Sequence, residues 1–341
     1  MILAGDIGAS NSRLGIFRFE NGSLHSERTA KFRNKDFSSI YEILDRFLDQ
    51  KSEVNGACFG VAGPVLNGVA ELTNNGWTIE ARLIESRLGA APVWLINDVE
   101  ATGYGLSRVT DQDLLTLNRG TKDNASPAAL IASGTGLGES ILLRNGVGYV
   151  PIAGEWGHAD FAPNDDLEMD FLTYMRTRFG HVSNDRVLSG PGLVLMYEFL
   201  RDAMHIPAND AVSEQIEHGD AGEVITRNAL EGRCELCSRA LDMFVKIYGA
   251  ESGNLALRSL ARGGIYLGGG IAPKILAALQ KGDFMAAFSD KGRLSPLVAS
   301  IPVRVILDTR APLFGAAAHA LSLAAPEVAG TGLHHGVRAA D

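Results

Sequence analysis

The chain has 341 residues, enough for about two domains with separate cores. Its 46% hydrophobic and 21% charged residues exclude an intrinsically disordered class, and its 39 glycines lean towards an α/β enzyme with many tight turns. A net charge of −9, from 31 basic and 40 acidic residues, repels nucleic acid and anionic membranes, so small molecules are the expected partners.

The opening, Met1 to Asp6, has no basic leader, and no run of about 18 apolar residues occurs, so no membrane association and a cytoplasmic location are expected. Residues 2–7 read as a short apolar strand that runs through a Gly/Asp/Ser turn into a second strand at Leu14–Phe19. Small residues at Gly5, Gly8, Ala9 and Ser10 let backbone N–H groups approach an anion, and Asp6 at the strand end can face the Mg²⁺ that accompanies a nucleotide. Phe37–Leu48 has a helical period with Asp36 placed to cap it, and should cover the first sheet. Val54–Val61 and Val93–Ile96 are buried strands, the second ending in Asn97-Asp98.

The polar segment Thr110–Pro127 marks a domain crossing at its start. The opening plan then returns: Leu130 to Gly138 is strand and Gly-rich turn, Ile141–Leu143 is an apolar run, and Asn145-Gly146 stands where the first copy has Asn21-Gly22. Either turn alone is a common hairpin; as a pair they suggest two related halves gripping one polyphosphate. Pro151–Pro163 is a Gly-punctuated loop with Glu155, His158 and Asp160. Helices are expected at Leu167–Phe179, after the Ser-Gly-Pro-Gly turn inside Asp185–Leu200, and from Leu236 through Tyr248. Cys58 falls in an apolar strand. Cys234 and Cys237 open the last of these helices, and their spacing reads as helix packing, since no second Cys pair or nearby His pair completes a zinc site. Ile265–Leu267 is a strand leading into Gly268-Gly-Gly270, with a helix starting at Lys274. Val303–Leu307 is a strand, and Ala311–Leu323 is a small-residue helix in which Gly315 permits close backbone approach. The tail, including His334 and His335, is expected to be disordered.

No P-loop, dinucleotide fingerprint or Gly-x-Ser-x-Gly elbow occurs, so a bipartite phosphate grip with a third Gly cluster at 268–270 for the nucleoside remains. Asp98 is the catalytic candidate, because open α/β sheets place their ligand crevice past the carboxyl ends of buried strands. Asn97 can both donate and accept, as a polyhydroxylated ligand requires; the plain alternative is a cap for the next helix. Glu155 and His158 suit sugar hydroxyls better than a metal, with a polar surface loop as the alternative.

These pieces together resemble the bacterial ATP-dependent glucokinases. The stretches Gly5 to Arg13, Ile96-Asn-Asp98, Ser133-Gly-Thr-Gly-Leu-Gly138, Gly154-Glu-Trp-Gly-His158, Arg186-Val-Leu-Ser-Gly-Pro-Gly-Leu193 and Gly268-Gly-Gly-Ile-Ala-Pro273 occur in that family's order over about residues 2–323. The resemblance implies an α/β, two-domain actin/hexokinase-like (ribonuclease H-like) fold with central mixed sheets and an interdomain cleft. It implies a small domain at 1–108 plus 306–325, a large domain at 109–305, and a homodimer. It implies phosphoryl transfer from ATP to the 6-hydroxyl of glucose with Mg²⁺, and Asp98 as general base. Asn97, Glu155, His158 and Asp185 would hold the other hydroxyls, with Asp6 facing Mg²⁺ directly or through water. Gly8, Ala9, Ser10 and Asn11, with Gly134, Thr135, Gly136 and Gly138, would cradle the phosphates, and Gly268, Gly269 and Gly270 the adenosine.

Three positions depart from the family pattern. Gly8-Ala9-Ser10 replaces Gly-Gly-Thr, Asp185 replaces a Glu, and Trp156 replaces a Gly. The rival readings are a broader hexokinase, a non-catalytic sugar sensor on the same fold, a zinc-containing sugar kinase or repressor, and a chaperone-type or filament-forming ATPase.

Overall fold

Alternation along the first strand sets the layers of the first unit. The computed structural model describes residues 1–21, 23–48, 53–72, 76–146 and 148–324. In β1 (Ile2–Ile7), Leu3 and Ile7 face one core, which holds Ile40, Ile43, Leu44 and Phe47 of the helix Ile40–Phe47. Ile2 and Ala4 face the opposite core, covered by Leu313, Ala316, Ala317 and Ala320 of the helix Ala311–Ala324. The sheet is completed by β2 (Asn11–Glu20), β3 (Ser23–Arg33), β4 (Gly56–Val61) and, beyond a small three-stranded sheet of β5 (Val65–Leu66), β6 (Val69–Leu72) and β7 (Trp77–Glu80), by β8 (Val93–Asn97). Its order is β3-β2-β1-β4-β8, antiparallel from β3 to β1 and parallel from β1 to β8.

The second sheet repeats that plan. It contains β9 (Leu114–Asn118), β10 (Ala128–Ser133), β11 (Leu137–Asn145), β12 (Gly148–Ile152), β13 (Ile265–Gly268) and β14 (Val303–Ile306), in the order β12-β11-β10-β13-β14-β9. β10, β13 and β14 are parallel, as β1, β4 and β8 are, and β9 is an added antiparallel edge. The two Asn-Gly stretches differ locally: Asn21 has φ 52°, whereas in the second the left-handed residue is Gly146, φ 56°, and Asn145 ends β11.

The chain divides into unit 1 (Met1–Thr110, Leu142–Ala153 and the described residues from Asp308 onward) and unit 2 (Asp111–Ile141 and Gly154–Leu307). Leu142–Ala153 thus joins unit 1, although it lies inside the 109–305 stretch expected as the large domain. The core of unit 2 is built around the 25-residue helix Glu235–Ser259, whose Leu241, Phe244, Tyr248 and Leu255 are buried. Cys234 caps that helix, its Sγ accepting the Cys237 N–H at 3.4 Å, and both thiols lie in the core. Cys58 is also a free, buried thiol, on the face of β4 covered by the Ala311–Ala324 helix.

Several local expectations are corrected. Ser39, not Asp36, caps the first helix, because Asn34–Asp36 is a separate 3₁₀ turn. The polar segment after Thr110 contains β9, whose half-buried residues pair with β14. The expected helix at Lys274 is a 3₁₀ turn, Ala272–Lys274, followed by the short helix Leu276–Leu279. Gly22, His334, His335 and the tail at 326–341 lie outside the described residues. Among the described residues no helix is long and apolar enough to cross a membrane.

Gly315 lets the helix Ala311–Ala324 close onto the helix Asp98–Gly105, since a Cβ there would stand 1.7 Å from the Ala101 carbonyl oxygen. Gly315→Ala is expected to cost about 1–3 kcal/mol through overpacking against backbone. Its denaturation midpoint should fall accordingly; an unchanged midpoint would show that the helix can retreat freely.

Candidate active site

In unit 1, three parallel strands end side by side. Asp6 of β1 is in register with Gly60 of β4, and Val61 of β4 with Asn97 of β8. Asp98 begins the next helix, and its Cα lies 3.6 Å from where a Gly60 Cβ would stand. Both residues therefore border the same bare backbone at the carboxyl edge of the sheet. Asp98 is half-buried at the first turn of its helix, where the backbone dipole favours an anionic group.

A capping box fixes this corner. The Asn97 side chain accepts the Val99 N–H at 2.8 Å, and its amide donates to the Gly63 carbonyl at 3.2 Å. The Asn97 N–H donates to Glu100 Oε2 at 3.0 Å, and Thr102 Oγ1 to the Asp98 carbonyl at 2.8 Å. The capping alternative for Asn97 is thus realised, while its oxygen and its amide nitrogen each keep capacity for one more hydrogen bond. Glu100, the residue that reaches back to close the box, was not singled out in the sequence, although Asn-x-x-Glu ahead of a helix is the recognisable signal.

Asp6 lies opposite Arg13, their ion-pair atoms 4.0 Å apart, with about a fifth of its side chain exposed. Burial pushes its carboxyl up to about 6, a shift that Arg13 partly opposes. The neighbouring turn is held from behind by Asn34, another residue missed at the sequence level. Asn34 Nδ2 donates to the Gly8 and Ala9 carbonyls at 2.8 and 3.2 Å, its N–H donates to the Ser10 carbonyl at 3.0 Å, and Ser12 Oγ donates to its Oδ1 at 2.7 Å. Ala9 is not among the described residues with positive φ, so its methyl is compatible with the turn.

Unit 2 brings its own set together. At the turn after β10 the Gly134 N–H donates to the Gly136 carbonyl at 2.8 Å, and the Gly190 N–H to the Gly134 carbonyl at 2.8 Å. The Ile271 N–H donates to the Ser133 carbonyl at 3.1 Å, which joins the 268–270 cluster to the same turn. Gly269 has φ +80°, and a Cβ there would sit 2.2 Å from the Ser133 carbonyl oxygen, so only glycine fits. Asp185 Oδ1 accepts the Leu137 N–H at 2.7 Å, so this carboxylate braces the turn.

The Glu155 to His158 stretch ends in a 3₁₀ turn, Trp156–His158. Glu155 Oε2 and His158 Nε2 are 3.9 Å apart, and both side chains are mostly exposed. Trp156 covers Gly154 and packs against the unit 2 core rather than projecting into solvent. Asp160 diverges from this pair and meets His181 Nε2 at 2.8 Å. Directly after the turn, Glu139 is buried, and desolvation together with the neighbouring Glu251 pushes its carboxyl well above the usual carboxylate range. Glu251 is in turn held by Arg258 and Asn254.

Residues 3–323 match the family model described as Glucokinase. A glucokinase of Nostoc sp. is 39% identical over 334 residues, covering 93% of this chain and 98% of that protein. The crystal structure of a glucokinase from an Antarctic psychrotroph superposes with a TM-score of 0.79 at 30% identity, covering 94% and 98% of the two chains. A glucokinase of Balamuthia mandrillaris, solved in complex with glucose, has the same fold, with a TM-score of 0.78 at 23% identity and coverage of 94% and 93%.

The raised Asp6 carboxyl has a testable cost. The folded state holds the Asp6 proton more tightly than the unfolded chain, so this favourable contribution is complete below about pH 4 and is lost as pH rises through about 6. Asp6→Asn should therefore gain up to about 3 kcal/mol relative to the parent between pH 4 and pH 8. Parallel stability curves for the two proteins across that range would contradict the assignment.

Proposed function

The chain belongs to the glucokinase family, and from that premise we propose how its residues divide the work of phosphoryl transfer. The protein is an ATP-dependent hexose kinase that transfers the ATP γ-phosphoryl group to the 6-hydroxyl of glucose, giving glucose 6-phosphate and ADP. Asp98 is the general base: its carboxylate takes the proton of the sugar 6-hydroxyl as that oxygen meets the terminal phosphorus. The observation that carries this is the corner at Gly60, which is in register with Asp6 and whose Cβ position lies 3.6 Å from Asp98 Cα.

Asn97, with one hydrogen-bonding position still open on its oxygen and one on its nitrogen, holds a sugar hydroxyl beside Asp98. Glu155 and His158 supply an acceptor and a donor close enough to grip adjacent hydroxyls. Asp185 has one oxygen committed to the Leu137 N–H and offers the other to the anomeric end. The turn at Gly8, Ala9, Ser10 and Asn11 and the turn at Gly134, Thr135, Gly136 and Gly138 hold the ATP phosphates through backbone N–H groups, and Gly268 to Gly270 lie against the adenosine. Transfer of this kind needs chiefly positioning and charge neutralisation.

A desolvated carboxylate whose ion pair with Arg13 is a loose 4.0 Å is a fitting partner for Mg²⁺, so Asp6 would hold the metal directly or through water. The metal would neutralise phosphate charge when bound. Three free, buried thiols suit a reducing compartment and support a cytoplasmic location, and the homodimer rests on family resemblance.

A coupled assay with ATP, Mg²⁺ and glucose tests the reading. Asp98→Asn should lower kcat by about 10²–10⁴-fold with glucose binding retained, since the proton acceptor is lost and the corner is not. Unaltered turnover would remove Asp98 as base, and glucose binding by the parent without ADP release would leave a sugar sensor.

A further inference from the structure

Asn34 opens the 3₁₀ turn Asn34–Asp36 after β3 and is only 3% exposed. A residue so buried does not touch a ligand, and whatever it does for phosphoryl transfer it does through the backbone that it holds. Its polar atoms are fully occupied. Nδ2 donates to the Gly8 and Ala9 carbonyls, the main-chain N–H donates to the Ser10 carbonyl, and Oδ1 accepts from the hydroxyl of Ser12, which is itself 0% exposed. Two carbonyls require the amide nitrogen on their side, and Ser12 supplies a donor to the oxygen on the other.

Three consecutive carbonyls thus converge on one side chain and its own backbone. In a trans peptide the C=O of one residue and the N–H of the next point in opposite directions, so the N–H groups of Ala9, Ser10 and Asn11 are turned away from Asn34. Among the described residues, those of Ala9 and Ser10 meet no protein acceptor. Successive N–H groups on one side of a tight turn form a concavity for an anion. The Gly8 N–H, which donates to the Asn11 carbonyl at 3.0 Å, closes the turn at its base.

We infer that Asn34, oriented by Ser12, is a positioning residue for the ATP phosphates: it presets the peptide planes of the turn so that their N–H groups face the nucleotide before it arrives. This rests on the assignment of the turn at Gly8 to Asn11 to those phosphates. Without the amide the turn would order only on binding, and that cost appears in nucleotide affinity. Glucose, held by other residues, does not feel it.

Asn34→Asp keeps the size of the side chain, the Ser12 contact and the main-chain N–H, but offers an acceptor to two carbonyls that need a donor. Titrated calorimetrically into the full chain at pH 7.5 with Mg²⁺, ADP should bind this variant about 10–100-fold more weakly, with glucose affinity within about twofold of the parent. The KM for ATP should rise by a similar factor and kcat fall far less, as for an interaction shared by ground and transition states. Ser12→Ala, which removes the donor to Oδ1, should weaken ADP by about 2–10-fold and keeps the test open if Asn34→Asp fails to fold. Ser10→Asp, at an exposed position of the turn, sets a negative charge against the phosphates and should weaken ADP by at least about tenfold. Parent-like ADP affinity in Ser10→Asp would remove the turn from the phosphate site and the inference with it. Weakened ADP there, with parent-like affinity in whichever of Asn34→Asp and Ser12→Ala folds, would leave the phosphate assignment standing and overturn the role of Asn34. Equal losses of ADP and glucose affinity in Asn34→Asp would mark a merely structural residue and overturn it too.

Discussion

Backbone must lie against backbone behind the catalytic corner, and most of unit 1 follows from that. A Cβ on Gly60 would meet the Ala101 side chain at 2.7 Å, and one on Gly105 would meet the Ala311 carbonyl oxygen at 2.2 Å. With Gly315 these positions stack a strand, the Asp98 helix and the helix Ala311–Ala324 at separations that side chains would prevent. Placing Asp98 near Asp6 depends on that thinness: a larger residue at Gly60 pushes the Asp98 helix off the sheet, and its N-terminus with Asp98, the proposed base, moves with it. The alanines of the last helix serve the same end, filling the face of β1 and β4 with small, stiff groups that lose little side-chain entropy on packing.

Charge is handled differently in the two units. Unit 1 holds Asp6 in a desolvated setting with Arg13 on the adjacent strand, so ionisation carries an energetic penalty that a cation relieves. Unit 2 keeps Glu155 and His158 in water, where their pairing is weak and easily exchanged for hydroxyl contacts. A sugar is bound by exchanging hydrogen bonds with solvent, and exposed partners lose little in that exchange. Phosphate and metal involve larger charges, for which preorganised, partly buried groups give more stabilisation because no reorientation is needed when the ligand arrives. Burial of Glu139 next to the second turn disfavours a negative charge there.

Much of this was legible in the sequence because the relevant signals are local. Gly-rich turns between apolar runs, an Asn-Asp at a strand end and the repeated Asn-Gly spacing identified both sheets' leading hairpins, and the paired sheet orders follow the duplication those repeats suggested. What escaped was structure stabilised from a distance. β3 carries mostly exposed polar residues and is a strand through its ladder with β2, so no apolar alternation announces it. β9 sits in a polar segment and owes its form to β14. Asn34 braces the phosphate turn from more than twenty residues away in sequence, and a lone Asn ahead of a helix gives no hint of that. Capping at Ser39 rather than Asp36 turned on a three-residue 3₁₀ segment, a choice that local propensity leaves open.

The departures at Ala9 and Asp185 come down to which backbone groups are already held. A Gly-Gly-Thr turn can use left-handed backbone to aim its N–H groups. Here Asn34 fastens the Gly8, Ala9 and Ser10 carbonyls from the protein side, so the peptide planes are oriented by an external clamp and Ala9 needs no left-handed φ. Asp185 follows the same logic in unit 2. One methylene shorter than Glu, its carboxylate reaches the Leu137 N–H at 2.7 Å and takes over bracing of the second turn. In each unit a Gly-rich turn, proposed to face phosphate, is thus stiffened by one polar side chain from elsewhere in the chain, and a side chain that grips the turn is less free to follow a ligand. Rigidity of the turn is therefore gained at the expense of the reach towards the sugar proposed for Asp185.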